Sequence, residues 1–235
     1  LISGTGNIQL RGAGYGSGAG TSNIGVDLVE ATRLETTSGN ISVYGTGGTG
    51  TDGNYGVRFY KNVSTPVVTT TSGTITVEGT ATDTTGASQT GVYGGANISS
   101  TGTGGGLGAI NITGSGQVAT SNGFDVYLNQ ANITSGDANI NITGSNTSTF
   151  GILLYNATSL TSSGSGNITF DAGAFWAHNA VTADTVSTAS GSLNFVQNII
   201  SGWNMSATST SGDVVIRPKT AATSIGIGNA AAAGS

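Results

Sequence analysis

The sequence has no cysteine, only two prolines, one histidine and one methionine, and charged residues make up 7% of it. Each scarcity narrows the reading. Without cysteine there are neither disulfides nor thiolate metal sites, a state compatible with export through an oxidising space. With two prolines beside 41 glycines, collagen and polyproline architectures are excluded, and the glycine is left to tight turns. Eleven acidic and six basic residues give a net charge of −5. They are spread thinly, so no basic stripe exists to neutralise a phosphate backbone, and nucleic acid is not an expected partner. No apolar run approaches the roughly 20 residues of a membrane-spanning helix, so no membrane insertion is expected. The opening, LISGTGNIQL, lacks the charged and hydrophobic regions of a signal peptide.

What is present is periodic. Apolar residues amount to 36% and fall in alternating pairs, which a solvated Gly/Ser/Thr tract would have no reason to keep. After a Ser/Thr-Gly turn, a strand of the form small-Asn-apolar-x-apolar recurs: Ile8/Leu10, Ile41/Val43, Ile75/Val77, Ile110/Ile112, Ile140/Ile142, Ile168/Phe170, Leu193/Phe195 and Val214/Ile216. A second strand follows at Val26/Leu28, Val57/Phe59, Phe124/Val126, Ile152/Leu154, Phe175/Ala177 and Ile225/Ile227, and begins at Val92 in the third copy. A third apolar point recurs at Leu34, Val68, Ile98, Ile133, Leu160, Val186 and Met205.

Period 2 within each segment puts one face inward. Similar blocks of about thirty residues in series are what a stacked solenoid needs. The expected fold is therefore all-β: a right-handed parallel β-helix of about eight three-stranded, triangular coils. Residues 1–235 form a single β-solenoid segment, and because the pattern starts and stops in mid-repeat it is expected to belong to a longer repeat protein. Successive first-strand markers lie 33, 34, 35, 30, 28, 25 and 21 residues apart, so the coil is expected to taper toward the C-terminus as one Gly-rich connection, read as a protruding loop, shrinks.

Asparagine recurs after the second strand at Asn62, Asn97, Asn129, Asn156, Asn179 and Asn229. Asn tolerates the left-handed conformation and bonds nearby backbone, so these positions predict a structural Asn ladder closing a turn. Ten Asn-x-Ser/Thr sequons follow almost automatically from strands spelled N-I-T or N-I-S. Thr-x-Thr pairs at Thr74/Thr76, Thr80/Thr82, Thr101/Thr103 and Thr208/Thr210 do not keep one register, and the tandem calcium-solenoid nonapeptide is absent.

Three Glu and eight Asp are spread along the chain. Asp27, Arg58 and Asp125 are read as equivalent outward positions, a charge ladder rather than an active site. His178, Asp184 and a nearby Ser could be drawn as a triad, but spacing alone does not specify one. No catalytic residue, metal ligand or cofactor is expected. The outward columns of the second strand read Asp27, Arg58, Tyr93, Asp125, Leu153, Trp176 and Val29, Tyr60, Gly95, Tyr127, Tyr155, His178. The candidate interaction face is therefore Arg58, Tyr60, Tyr93, Tyr127, Tyr155, Trp176 and His178. Such a strip can stack on sugars or on another protein, or the preceding loops can fold over it as a second small core.

With GNIQL, SGNISVYG, SGTITVEG, GAINITGSG, ANINITGS and SGNITFDAG in series, and SGDVVIRPKTAATSIGIG at the end, the whole chain resembles the β-strand-repeat exoproteins related to filamentous haemagglutinin, adhesins of the two-partner-secretion type. The resemblance implies an extracellular, cell-surface shaft used in adhesion, biofilm or surface coating. Its implied partners are other copies of itself or adjoining repeats of the same protein, with cell-surface glycans as a further class. The secretion domain of that family is not part of these residues. The rival expectations are a carbohydrate-active β-helix enzyme and a glycan- or ice-binding module.

Overall fold

The structure is a computed structural model that describes residues 1–16, 20–83, 86–117, 123–146, 150–178, 182–201, 205–221 and 226–227. Its strands form three parallel sheets of eight strands each, and in every sheet each strand pairs with the one a full turn away. Sheet one contains the first strand of every repeat, from Ile8–Ala13 through Ile41–Thr46 and Ile75–Thr80 to Val214–Arg217. Sheet two runs from Val26–Val29 to Gly226–Ile227. Sheet three starts with Ile2–Ser3 and Arg33–Thr36 and ends with Met205–Ser209. This is the three-sided parallel solenoid that the repeat predicts.

The register follows the apolar markers. Ile8, Ile41, Ile75, Ile110, Ile140, Ile168, Leu193 and Val214 stand directly over one another in sheet one. Leu34, Val68, Ile98, Ile133, Leu160 and Val186 do so in sheet three. Alternation turns these β-branched and Leu side chains inward, and from Ile41 to Leu193 the sheet-one markers are fully buried. Each buried side chain of this size contributes roughly 1.5–3 kcal/mol. Phe170, Phe175 and Phe195 fill two adjoining levels of the core, with ring centroids 4.9, 5.3 and 5.5 Å apart.

Two columns of small residues make the corners. Gly12, Gly45, Gly79, Gly114 and Gly144 stack in register at the end of sheet one. A Cβ at Gly79 would lie 2.0 Å from the Gly91 carbonyl oxygen, so the chain can fold onto sheet two only where no side chain intervenes. At the end of sheet three the buried hydroxyls of Thr36, Thr70, Ser100, Ser135, Ser162 and Thr188 form the second column. Thr36 Oγ1 donates to the Gly39 carbonyl and Thr188 Oγ1 to that of Gly191, both at 2.6 Å.

The turn after sheet two holds no single Asn ladder. Asn62 is exposed in a connection, Asn97 opens a sheet-three strand between Val67 and Asn132, and Asn129 ends a sheet-two strand beside Tyr155. Asn156 takes a left-handed φ of 57° in the following turn, while Asn179 and Asn229 lie outside the described residues. The turns differ in length, 61–66, 95–96, 130–131 and 156–158, so the Asn residues cannot share a register. An amide ladder does exist one corner away, before sheet one. Asn7 Oδ1 accepts from Asn40 N–H, Asn40 Oδ1 from Thr74 N–H, Asn139 Oδ1 from Asn167 N–H and Asn167 Oδ1 from Ser192 N–H, at 2.7–2.9 Å.

Four other expectations are corrected. Met205 pairs with Asp184, and Ala207 takes its place above Val186. Ile199–Ser201 is an additional sheet-two strand, with Ile200 over Phe175. The connections from sheet one to sheet two shorten from 14–25 to 47–56, 145–151 and then 172–173 and 197–198, before 218–225 lengthens again, but the described parts of the long ones are stacked rather than protruding. Isolated bridges join Thr21 to Asp52 and Asp52 to Ala87, and the fully buried Asn54 accepts from both the backbone and the side chain of Asn23 at 3.0 Å. Phe124, expected inward in sheet two, lies in the connection that precedes the strand Val126–Asn129.

Candidate aromatic interaction face

In sheet two, Val126, not Phe124, stands over Val92 and Val57. The fourth repeat is therefore displaced by two residues from the spacing reading. The first outward column becomes Asp27, Arg58, Tyr93, Tyr127, Leu153, Trp176 and Ser201. The second contains Val29 and Tyr60, then Asn129, Tyr155 and His178. The shift gathers the aromatic side chains. Tyr93 and Tyr127 are direct neighbours with ring centroids 5.0 Å apart and planes at 81°. Tyr127 meets Tyr155 at 5.9 Å and 85°, and Tyr155 lies parallel to His178 at 5.9 Å.

Three aromatic residues outside the sheet complete the arrangement, and the spacing argument had assigned none of them there. Tyr55 stacks on Tyr93 at 4.5 Å and 8°. Phe124 meets Tyr127 at 5.6 Å and Phe150 at 5.5 Å, and Phe150 lies over Trp176 at 6.4 Å and 18°. All three sit at the end of a sheet-one to sheet-two connection, next to a glycine: Gly56, Gly123 and Gly151. That position was the available signal, because it returns the connection to the edge of sheet two. Phe124 and Leu153 are buried, while Tyr93, Tyr127, Tyr155 and Trp176 remain half-buried along an open trough of about 500 Å³.

The trough has hydroxyls from Ser88 and Thr90 on its lining, and His178 at its end, but among the described residues that line it there is no Asp, Glu, Lys or Arg. Burial raises the Tyr55 and Tyr127 phenols to about 12, with neighbouring Tyr93 adding in the same direction. Both therefore stay protonated, as hydrogen-bond donors, at any physiological pH. A hollow of about 300 Å³ adjoins the trough, shares Tyr55 and Tyr93 with it and is bordered by Arg58, Tyr60 and Lys61. Arg58 donates to both carboxylate oxygens of Asp27 at 3.0 and 2.5 Å, and its guanidinium lies 5.0 Å from the Tyr60 ring centroid.

The carboxylates do not assemble. Asp27 is outward and paired, whereas Asp125 is fully buried at the corner. There it accepts from Gly116 N–H at 2.8 Å, from Asn146 N–H at 3.1 Å and from Asn146 Nδ2 at 2.6 Å. Burial raises it to about 6 against the lowering effect of these bonds. Asp184 is also fully buried and accepts from Thr158 N–H at 2.8 Å, while His178 is exposed and stacked on Tyr155. The grouping of His178 with Asp184 as a triad is therefore not formed. Among the described residues no cluster of three or more His, Asp and Glu is placed to hold a metal.

The outward face of sheet three presents a second regular array, Thr69, Ser99, Thr134, Thr161, Ser187 and Thr208, one above another. Its hydroxyls engage one another, Thr69 with Ser99 at 2.7 Å and Thr161 with Ser187 at 3.3 Å. Comparison with protein-family models, with curated proteins and with solved structures finds no match to this chain.

Proposed function

We propose that this chain is a shaft segment of a secreted cell-surface protein, a structural β-solenoid that carries or forms an extracellular filament and is not an enzyme. The observation that supports it most is the continuous stacking of parallel strands in three sheets, since such a stack grows along one axis with each rung serving as template for the next. The resemblance to filamentous-haemagglutinin-like exoproteins points the same way, and suits extracellular placement.

The test is electron microscopy of the full secreted protein together with surface labelling of intact producing cells. A rod with a layer line near 4.8 Å, the spacing of neighbouring strands, and label on the outside are expected. A compact particle without that layer line, or label confined to the cell interior, would overturn the reading.

A further inference from the structure

We propose that the aromatic trough on sheet two binds a neutral glycan chain laid along the solenoid axis. The inference rests on the trough itself and holds whether or not the coils assemble into a fibre.

The lining selects the ligand. Tyr55, Tyr93, Tyr127, Tyr155 and Trp176 are each half-buried, so part of every ring is fixed by packing and part is offered to a visitor. Along the series the rings meet at 8°, 81°, 85° and 3°, so Tyr127 stands edge-on between two parallel pairs, Tyr55 with Tyr93 and Tyr155 with His178. The wall therefore presents ring faces, which stack on the C–H faces of pyranoses, between ring edges whose phenols meet sugar hydroxyls. Tyr and Trp do both at low conformational cost because the ring is apolar and its rim polar. The volume of about 500 Å³ lies within the ~300–1,000 Å³ typical of small-ligand clefts.

Spacing and charge narrow the class further. Rungs repeat at about 4.8 Å, close to the length one hexose occupies in an extended chain, so successive rings can meet successive sugars. Among the described residues that line it, the trough has no acidic side chain and no Lys or Arg, and the chain as a whole carries a net charge of −5. A polyanionic glycan would thus gain no counter-charge along the trough itself, the cations of the adjoining hollow being Arg58, already paired with Asp27, and Lys61, and would approach a like-charged body. An extended peptide is the poorer fit: the floor is the face of a sheet whose backbone groups pair along the axis, which leaves no edge for strand addition.

The experiment uses the whole chain with Trp203→Phe, so that Trp176 alone reports by fluorescence, backed by titration calorimetry. The probes are neutral hexaoses of β-linked glucose and of N-acetylglucosamine, with heparin and polygalacturonate as polyanions. A saturable change in Trp176 emission with at least one neutral hexaose is expected, together with reduced acrylamide quenching. Tyr127→Ala should weaken binding about tenfold or more, and Tyr44→Ala, on sheet one, should leave it unchanged. No response to any neutral hexaose overturns the proposal, as does response to polyanions alone, or a folded Tyr127→Ala variant that binds as well as the parent. Because the emission and quenching readouts need no change at Tyr127, they decide the matter even if Tyr127→Ala fails to fold. Failure here leaves the rod and its layer line untouched, so the two readings fail separately.

Discussion

Replacing Asp184 by Asn should change the pH dependence of stability in a defined direction. Asp184 is fully buried, its Oδ1 accepts from Thr158 N–H at 2.8 Å, and its Oδ2 has no hydrogen-bond partner among the described residues. Burial raises its carboxyl from 3.8 to about 6, opposed only by the Thr158 bond. Because the folded state holds this proton more tightly than the unfolded state, the stabilisation is fully present below about pH 4 and is lost as pH rises through about 6. At ~1.4 kcal/mol per tenfold change in proton affinity, the loss is at most about 3 kcal/mol. Asp125, also raised to about 6 by burial, shifts stability in the same direction. In the Asn variant Oδ1 can keep the Thr158 bond, and Nδ2, lacking an acceptor, costs about 1–3 kcal/mol at every pH. The variant should therefore be weaker than the parent at pH 4 and recover by about 2–3 kcal/mol relative to it by pH 7.5. Urea unfolding followed by circular dichroism at a series of pH values measures this. A parent chain whose midpoint is flat or rises between pH 4 and 6.5 would refute the reasoning, and so would a variant whose pH profile runs parallel to the parent's.

Two further predictions concern the core and the corner. Phe170→Ala should cost about 3–5 kcal/mol, because Phe170 is fully buried and touches both Phe175 and Phe195; urea midpoints read the loss, and a cost below about 1 kcal/mol would contradict the core described. Gly79→Ala should destabilise by about 3 kcal/mol or more, since the new Cβ would lie 2.0 Å from the Gly91 carbonyl oxygen. Gly105→Ala, where nothing lies within 4 Å of the added Cβ, should leave the melting temperature within a degree or two.

The inward residues of sheets one and three were legible in the sequence because their connections keep the strands in step with the hydrophobic alternation. Ile8 to Val214 and Leu34 to Val186 needed only period 2 and a recurring turn. The site was less legible, for the same reason reversed. In the fourth repeat the connection returns through Gly123, Phe124 and Asp125, three residues that continue the apolar-polar alternation of the strand they precede, so pattern alone cannot tell that pairing starts at Val126. That two-residue ambiguity put Asp125 on the surface and Tyr127 in the wrong column. Tyr55 and Phe150 were missed because a loop aromatic carries no periodic signal, and its packing on a neighbouring rung is decided by how connections stack. The Asn ladder failed through turn length: Asn62 lies in the six-residue turn 61–66, whereas Asn129 is still the last residue of its sheet-two strand and is followed by the two-residue turn 130–131.

The shortening corners also give the solenoid a mechanical direction. If tension peels one rung at a time, a rung of 35 residues, from Ile75 to Ile110, releases at most about 120 Å of chain, and one of 21 residues, from Leu193 to Val214, about 70 Å. A single molecule stretched by its termini would thus write a sawtooth of unequal teeth, and the sequence of tooth widths would report which end yields first.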